Sequence, residues 1–541
     1  MIAESILAST ALFTGLHDTA QPGAVALAQG RIIFVGTLDE ARAFQGPQTQ
    51  VRDFGDALIM AGFHDSHLHF FHSALYASPL AESYLGENEA DCVARLAPLA
   101  QRRPAGSWLL TQGWREYRWN PAKMPSKASL DAAYPHQPVA MYSGDAHTLW
   151  VNSCALAKLG LTRDSVAPAG GSYDKDETGE LTGIIREAAA MELMPRIVAA
   201  FSDEELLGAY QGFMETLVAN GITAVCDMSL MAHPGLDFVR DDLFAALDAQ
   251  GKLKVRVHMF PTLLPDMSRL EGMQARCTSD TLQAPGFKQF FDGVSSQHTA
   301  WIAQPYTNAR FAEDVGTPTT DPETMRRLVL AAAAAGHAVR IHTIGDEAIH
   351  IALDIFEEAR ERFGAPVCGK HCLEHLENFQ PDDIERLAQL DVIAAVQPPH
   401  ITLDPGGPER DFGPARVPYM WPFARLLQAG ATLAFGTDSP VVAVDSMGLI
   451  YTALTRKDAR THQPVGGWLP AECISMPDAL RAYTLGSAGA AGRAHELGSI
   501  EVGKYADITV LNRNLLTCDP QTIQDTRVVA TFLGGQCVFE A

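Results

Sequence analysis

Apolar and polar positions change rhythm along the chain. Near the N-terminus, residues 24–27 and 31–35 are short apolar strands joined by Ala28-Gln29-Gly30, where glycine takes positive φ cheaply. Residues 506–511 and 528–533 repeat that style near the C-terminus, with Gly534-Gly535 turning into 536–539. Matched strand-turn character at the two ends predicts that they pair in one small β domain. From residue 223 onward strands alternate with helices. Strand patterns cover 223–226, 254–259, 286–291, 338–342, 370–374, 392–396 and 432–435. Helical patterns cover 241–250, 322–335 and 348–362, with similar ones at 381–390 and 419–429, several of them stopped by a glycine. Repeated βα units imply a parallel sheet under helical cover, and eight of them close a barrel. His69 and Thr223 are separated by about 150 residues, far beyond a usual βα connection. That span predicts an inserted domain over the barrel mouth. Strands are expected at 108–112 and 139–142, and an exposed loop at Gly170-Gly171 and 174–179.

Composition narrows the partners more than the fold. At 541 residues the chain can bury a large core, and a net charge of −23 argues against nucleic acid or an anionic membrane. Residues 1–30 contain no basic n-region followed by an apolar h-region, and no apolar run approaches the roughly 20 residues of a membrane span. Nine scattered cysteines, an odd number, suit reduced thiols, so the expected location is cytoplasmic. Cys368, His371 and Cys372 are close enough in sequence for a metal clip, but a closed zinc site needs further ligands.

The stretch that focuses the chemistry is Ile59-Met60-Ala61-Gly62-Phe63-His64-Asp65-Ser66-His67-Leu68-His69. On a strand His67 and His69 face the same way, and two imidazoles so placed can reach one metal ion. Taken alone, an HxH pair is equally well two ordinary histidines. Four more segments put a metal-competent side chain at or just beyond an apolar strand: Lys288, His342, His375 and Asp438. Each has a plainer reading. The lysine can line a barrel, the histidines can be satisfied core residues, and the aspartate can cap a helix.

These segments resemble the amidohydrolase superfamily, in particular the family 3 subgroup that includes N-substituted formamide deformylase. The resemblance runs through residues 62–69, Asp145-Ala146-His147, Val151-Asn152-Ser153 and Gly221-Ile222-Thr223. It continues through Lys288 with Asp292-Gly293, His342 with Gly345-Asp346, Glu374-His375, Gln397-Pro398 with His400, and Thr437-Asp438-Ser439-Pro440. It ends in Gly498, Gly503-Lys504 and Ala506-Asp507.

The resemblance implies an α/β fold: a (β/α)8 TIM-like barrel over 58–80 plus 200–496. A β-sandwich is built from both termini (1–57 plus 497–541), and a large inserted α/β lid domain covers 81–199. It implies a metal-dependent hydrolase acting on carbon–nitrogen bonds other than peptide bonds. His67 and His69 would hold one divalent ion, expected to be zinc, together with Asp438. Lys288, carboxylated by carbon dioxide to a carbamate, would bridge to a second ion held by His342 and His375. Asp438 would move the proton. His147, Asp145, Asn152, Trp114 and His400 are the expected substrate contacts, with Tyr117 beside Trp114. Polar-loop packing, a structural turn and a lid core are the respective alternatives. His64 and His298 depart from the pattern. The expected partner is a small molecule, with a homodimer as candidate assembly. A cyclic amide, a deaminated ring or an ester would suit the same scaffold, and so would a non-catalytic binding or regulatory relative, although the latter would be free to lose the ligand set.

Overall fold

The computed structural model describes all residues except 84–85, 145–146, 169–170 and 231–236, and of Tyr117 the backbone alone. Asp145, Ala146, Gly170 and the Tyr117 ring, all singled out from sequence, therefore lie outside the described residues. The chain forms two compact units, one of Met1–Phe70 with Met214–Ala541 and one of Phe71–Phe213.

In the first unit both ends of the chain share one eight-stranded sheet. Its order is Gln536–Glu540, Val528–Leu533, Ile508–Leu511, Leu58–Ala61, Ser5–Leu12, Gln21–Ala28 and Arg31–Gly36, with Gln50–Asp53 also pairing on Ser5–Leu12. Successive side chains enter different cores: Leu7, Val25, Ile59 and Val510 pack in one cluster, Ile6, Ala8, Ala24 and Ala26 in another. Burial on both faces explains the continuous apolar runs. Ser5–Leu12 carries no strong strand signal because serine, alanine and threonine dilute it; its place inside the sheet overrides propensity.

Eight parallel strands follow: β1 (Phe63–Leu68), β2 (Ile222–Met228), β3 (Arg256–Phe260), β4 (Gly286–Phe290), β5 (Ala338–Thr343), β6 (Cys372–His375), β7 (Ile393–Val396) and β8 (Leu433–Phe435). β1, β2 and β3 pair in chain order, as do β4 through β8. Backbone bonds continue from one set to the other: Lys288 N donates to Pro261 O at 2.9 Å, and Asp438 N to His67 O at 2.6 Å. Helices fall between strands as the periodicity indicates, for example Pro322–Ala334, where Asp321 accepts from Thr324 N and Pro322 opens the first turn. Residue 370 lies before β6 rather than in it, its ammonium paired with Asp391 at 2.6 Å.

The second unit holds a six-stranded sheet ordered Gly171–Lys175, Leu181–Glu187, Thr148–Val151, Val139–Ser143, Leu109–Trp114 and Ala81–Ser83. The stretch expected as a loop is thus strand over Gly171–Lys175, paired antiparallel with Leu181–Glu187, and turns only at 176–179. The unit extends past the expected 81–199 at both ends. Arg103 pairs with Glu205 at 2.7 Å and lies over Phe201, which draws residues beyond 199 into it. Among the described residues no helix is long and apolar enough to cross a membrane.

Candidate metal centre

The centre is assembled where the end of β8 meets the end of β1. A Cβ on Gly436 would lie 2.6 Å from His67 N, so only glycine lets the two backbones approach. Asp65 ties the junction: one carboxylate oxygen accepts from His67 N at 3.1 Å and Thr437 N at 3.0 Å, the other from the Thr437 hydroxyl at 2.7 Å. Asp438 follows with φ 58°, and His375 and Leu376 at the end of β6 have φ 72° and 52°. Left-handed backbone at non-glycine residues costs about 1–3 kcal/mol each and concentrates at functional sites.

The histidines are oriented by what their second nitrogens bind. His67 Nδ1 donates to Glu374 Oε2 at 2.6 Å and His69 Nδ1 to the Met228 carbonyl at 3.0 Å. A carboxylate and a carbonyl only accept, so both imidazoles carry a proton on Nδ1 and turn Nε2 toward the centre. Those Nε2 atoms lie 3.5 and 3.1 Å from Asp438 Oδ1. The three ligand atoms sit within 4.8 Å of one another, as do those of His375, His400 and Asp438. His375 donates from Nδ1 to Gln397 Oε1 at 2.9 Å, and His342 from Nε2 to Gly293 O at 3.1 Å. The His342 and His375 rings are 4.4 Å apart, and His375 is 4.9 Å from His67.

Electrostatics hold this set in its metal-competent protonation states. Burial, reinforced by Lys288, pushes His67 down to about 4 and His342 to about 3. Burial and the neighbouring His342 push His375 well below its usual value. Neutral imidazoles keep their lone pairs. For Asp438 burial pushes the carboxyl up, but His67 and His69 more than reverse it, and it stays ionised. Glu374 behaves alike: Arg340, 2.6 Å away and fully buried with it, outweighs desolvation. Arg340 also donates to Ser66 O at 2.7 Å, anchoring β1 from below.

Lys288 is fully buried and its Nζ makes no hydrogen bond; His400 Nε2 is likewise unpartnered. Burial lowers the lysine to about 8. A buried ammonium without a hydrogen-bond partner is costly, so burial favours the neutral amine. Neutral imidazoles, an ionised carboxylate and orphaned nitrogens fit a divalent metal.

Of the residues expected from sequence, His67, His69, Lys288, His342, His375, His400 and Asp438 all lie in the first unit; His147, Asn152 and Trp114 lie in the second. Trp114 takes the lid-core alternative. It is 1% exposed, donates its indole N–H to Met141 O at 2.8 Å, and packs with Trp119 and Trp150, which makes it core rather than a pocket wall. Asn152 is also committed to folding: Oδ1 accepts from Val139 N and Ala155 N, and Nδ2 donates to Tyr134 O and Gln137 O. His147 Nδ1 bonds Glu187 at 2.8 Å. His298 bonds Asp314 at 2.6 Å and stacks on Tyr306. Cys368 is exposed, and His371 Nδ1 accepts from Val339 N, so no clip forms with Cys372. Sequence reading passed over the orienting groups Asp65, Arg340 and Glu374. Their signal was present as charges inside otherwise apolar strands, Ala-Val-Arg-Ile-His and Cys-Leu-Glu-His.

The chain is similar to known proteins over nearly its whole length. Protein LONG AFTER FAR-RED 3 of Arabidopsis thaliana is 28% identical, covering 100% of this chain and 92% of the relative. N-substituted formamide deformylase of Arthrobacter pascens is 26% identical, covering 96% and 95%. An uncharacterized metal-dependent hydrolase from Pyrococcus horikoshii has the same fold, with TM-score 0.77 at 24% identity over 96% of this chain and 99% of that one. A sequence model of the amidohydrolase family matches residues 50–539, and the chain belongs to that family.

Proposed function

We propose that the chain is a metal-dependent hydrolase that cleaves a C–N bond, of amide or formamide type, in a small molecule. The observation that carries this reading is the convergence of His67 Nε2 and His69 Nε2 on Asp438 Oδ1, with each Nδ1 anchored. These three residues would hold one divalent ion, zinc by its donor chemistry. Lys288 as a carbamate, with His342 and His375, would hold a second. The ions supply a lowered pKa for water and polarisation of the substrate carbonyl. Asp438, kept ionised, accepts the proton of the attacking water and returns it to the departing nitrogen. Glu374 fixes the His67 tautomer, and His400, 3.7 Å from Asp438 Oδ2, is placed to meet the substrate. Lys288, lowered to about 8, has neutral amine available near neutrality. Carbon dioxide adding to that neutral amine forms an N–C bond, releases one proton and leaves an anionic carbamate. The proposed frame is a closed (β/α)8 barrel, supported by the backbone bonds at 261–288 and 67–438. The terminal sheet packs beside it as a sandwich. The formamide class rests on the relative named above. Nine scattered cysteines, an odd number, fit a reducing compartment.

The test is zinc-loaded protein offered N-formyl amines, N-acyl amines, cyclic amides and esters, with release of amine and acid measured. Turnover of an amide class that disappears in Asp438→Asn is the expected result. A metal-replete protein silent on every amide, or an Asp438→Asn variant that keeps its rate, would overturn the reading.

A further inference from the structure

We propose a second metal site in this chain, formed by His64, Cys226 and His258, that binds a thiophilic transition ion of the zinc class. The three residues come from adjacent parallel strands β1, β2 and β3, where Cys226 pairs with His258 and Ala224 with His64 in the ladder register. Their ligand atoms lie within 4.8 Å of one another, and Cys226 Sγ is 3.6 Å from His64 Nε2. All three are at most 2% exposed. The polar atoms there are unsatisfied: His64 Nδ1 and both nitrogens of His258 lack hydrogen-bond partners. The Val225 backbone lies near the His258 ring but outside hydrogen-bonding geometry. A buried polar atom without a partner is unfavourable, and each neutral ring carries one lone pair that a metal ion beside the thiol would take up.

The donor set selects the ligand. Two imidazoles and a thiol form a borderline-to-soft triad, the chemistry of zinc and its neighbours rather than of magnesium or calcium. The rings stand 5.1 Å apart and 27° from parallel, so binding requires each to turn about its χ2 bond and draw in. Burial keeps both imidazoles neutral, His64 at about 3 and His258 well below its usual value. Burial also keeps Cys226 a thiol, at about 12, so the ion displaces one proton to solvent as the thiolate forms. The guanidiniums nearest the cluster do not leave it positively charged. Arg340 pairs with Glu374, Arg493 with Glu496 and Arg256 with Asp507. A cation with one thiolate is therefore not opposed by bare charge. Closed to solvent, the site is structural. It ties β1 to β2 and β3 three residues before His67.

The readout is sulfur coordination, because the proposed catalytic donors are all nitrogen and oxygen. Cobalt(II)-loaded full-length chain is expected to show thiolate-to-cobalt charge-transfer absorption in the near ultraviolet. Cys226→Ser should abolish that absorption and lower metal content by about one ion per chain. His258→Phe should do the same while sparing the thiol. If either variant fails to fold, X-ray absorption on the zinc-loaded wild type decides, through a sulfur scatterer at about 2.3 Å. No sulfur scatterer in the wild type overturns the site. Identical absorption and metal content in folded Cys226→Ser would overturn it equally.

Discussion

Two histidine clusters share strand β1, and they are prepared differently. At the end of the strand His67 and His69 each have an acceptor behind the ring, and an ionised Asp438 in front. Three residues earlier His64 faces His258 and Cys226, with no acceptor on its Nδ1. Both clusters are buried. The difference is that the upper one has its tautomers and ring angles fixed in advance, while the lower one can reorganise around whatever enters. Preorganisation of that kind marks the layer where chemistry happens.

The most severe way to break the contrast is to remove the front carboxylate. Asp438→Asn should lower turnover by about 10³-fold or more, since it deletes both a ligand and the proton acceptor, while circular dichroism stays unchanged. Lys288→Ala removes a proposed ligand and should cost at least the roughly 10²-fold that losing an outer-shell partner does, with part of the metal content. ¹³C NMR under labelled carbon dioxide should show a carbamate carbon in the wild type that the variant lacks. Near-normal turnover with full occupancy in Lys288→Ala leaves a mononuclear centre on His67, His69 and Asp438.

Next comes the support beneath. Glu374→Gln strips Arg340 of its buried partner and should destabilise the unit by about 3–5 kcal/mol in urea unfolding. The same pair sets an acid dependence. Glu374 has a folded-state pKa below its unfolded value of about 4.3, so its stabilisation is complete above that value. It is lost as pH falls through the folded pKa. Metal-free wild type should therefore lose stability below about pH 4, and Glu374→Gln should lose less across the same interval. An equal loss in both forms would assign acid sensitivity elsewhere.

The smallest effect belongs to the second unit, where the Asn152 side chain has its bonds within the unit. Asn152→Ala should cost about 1–2 kcal/mol through the lost cap, with KM unchanged. A large change in KM with intact stability would return Asn152 to the substrate.

Hydrophobic periodicity was enough to place the alternating strands and helices, because 2.0 and 3.6 are properties of the local backbone. β2 through β8 fall within a few residues of their expected bounds, and the ligand-bearing residues follow as ends of those strands. The strand Ser5–Leu12 was not legible, since its pairing partners on three other strands lie up to 47 residues away and its own residues are weak β formers. Neither were the roles of Glu374, Arg340 and Asp65. Each acts on a partner from another strand, and the sequence shows such a residue only as a charge in an apolar run. For Trp114 and Asn152 the structure shows the packing alternatives, an indole in the core and an amide bonded to backbone, which depend on neighbours far along the chain. The kinds of side chain able to bind metal were written in the order of residues. Which nitrogen of each histidine faces inward, and whether a lysine amine is left without a partner, depends on packing between strands far apart in the chain, and only the tertiary structure decided it.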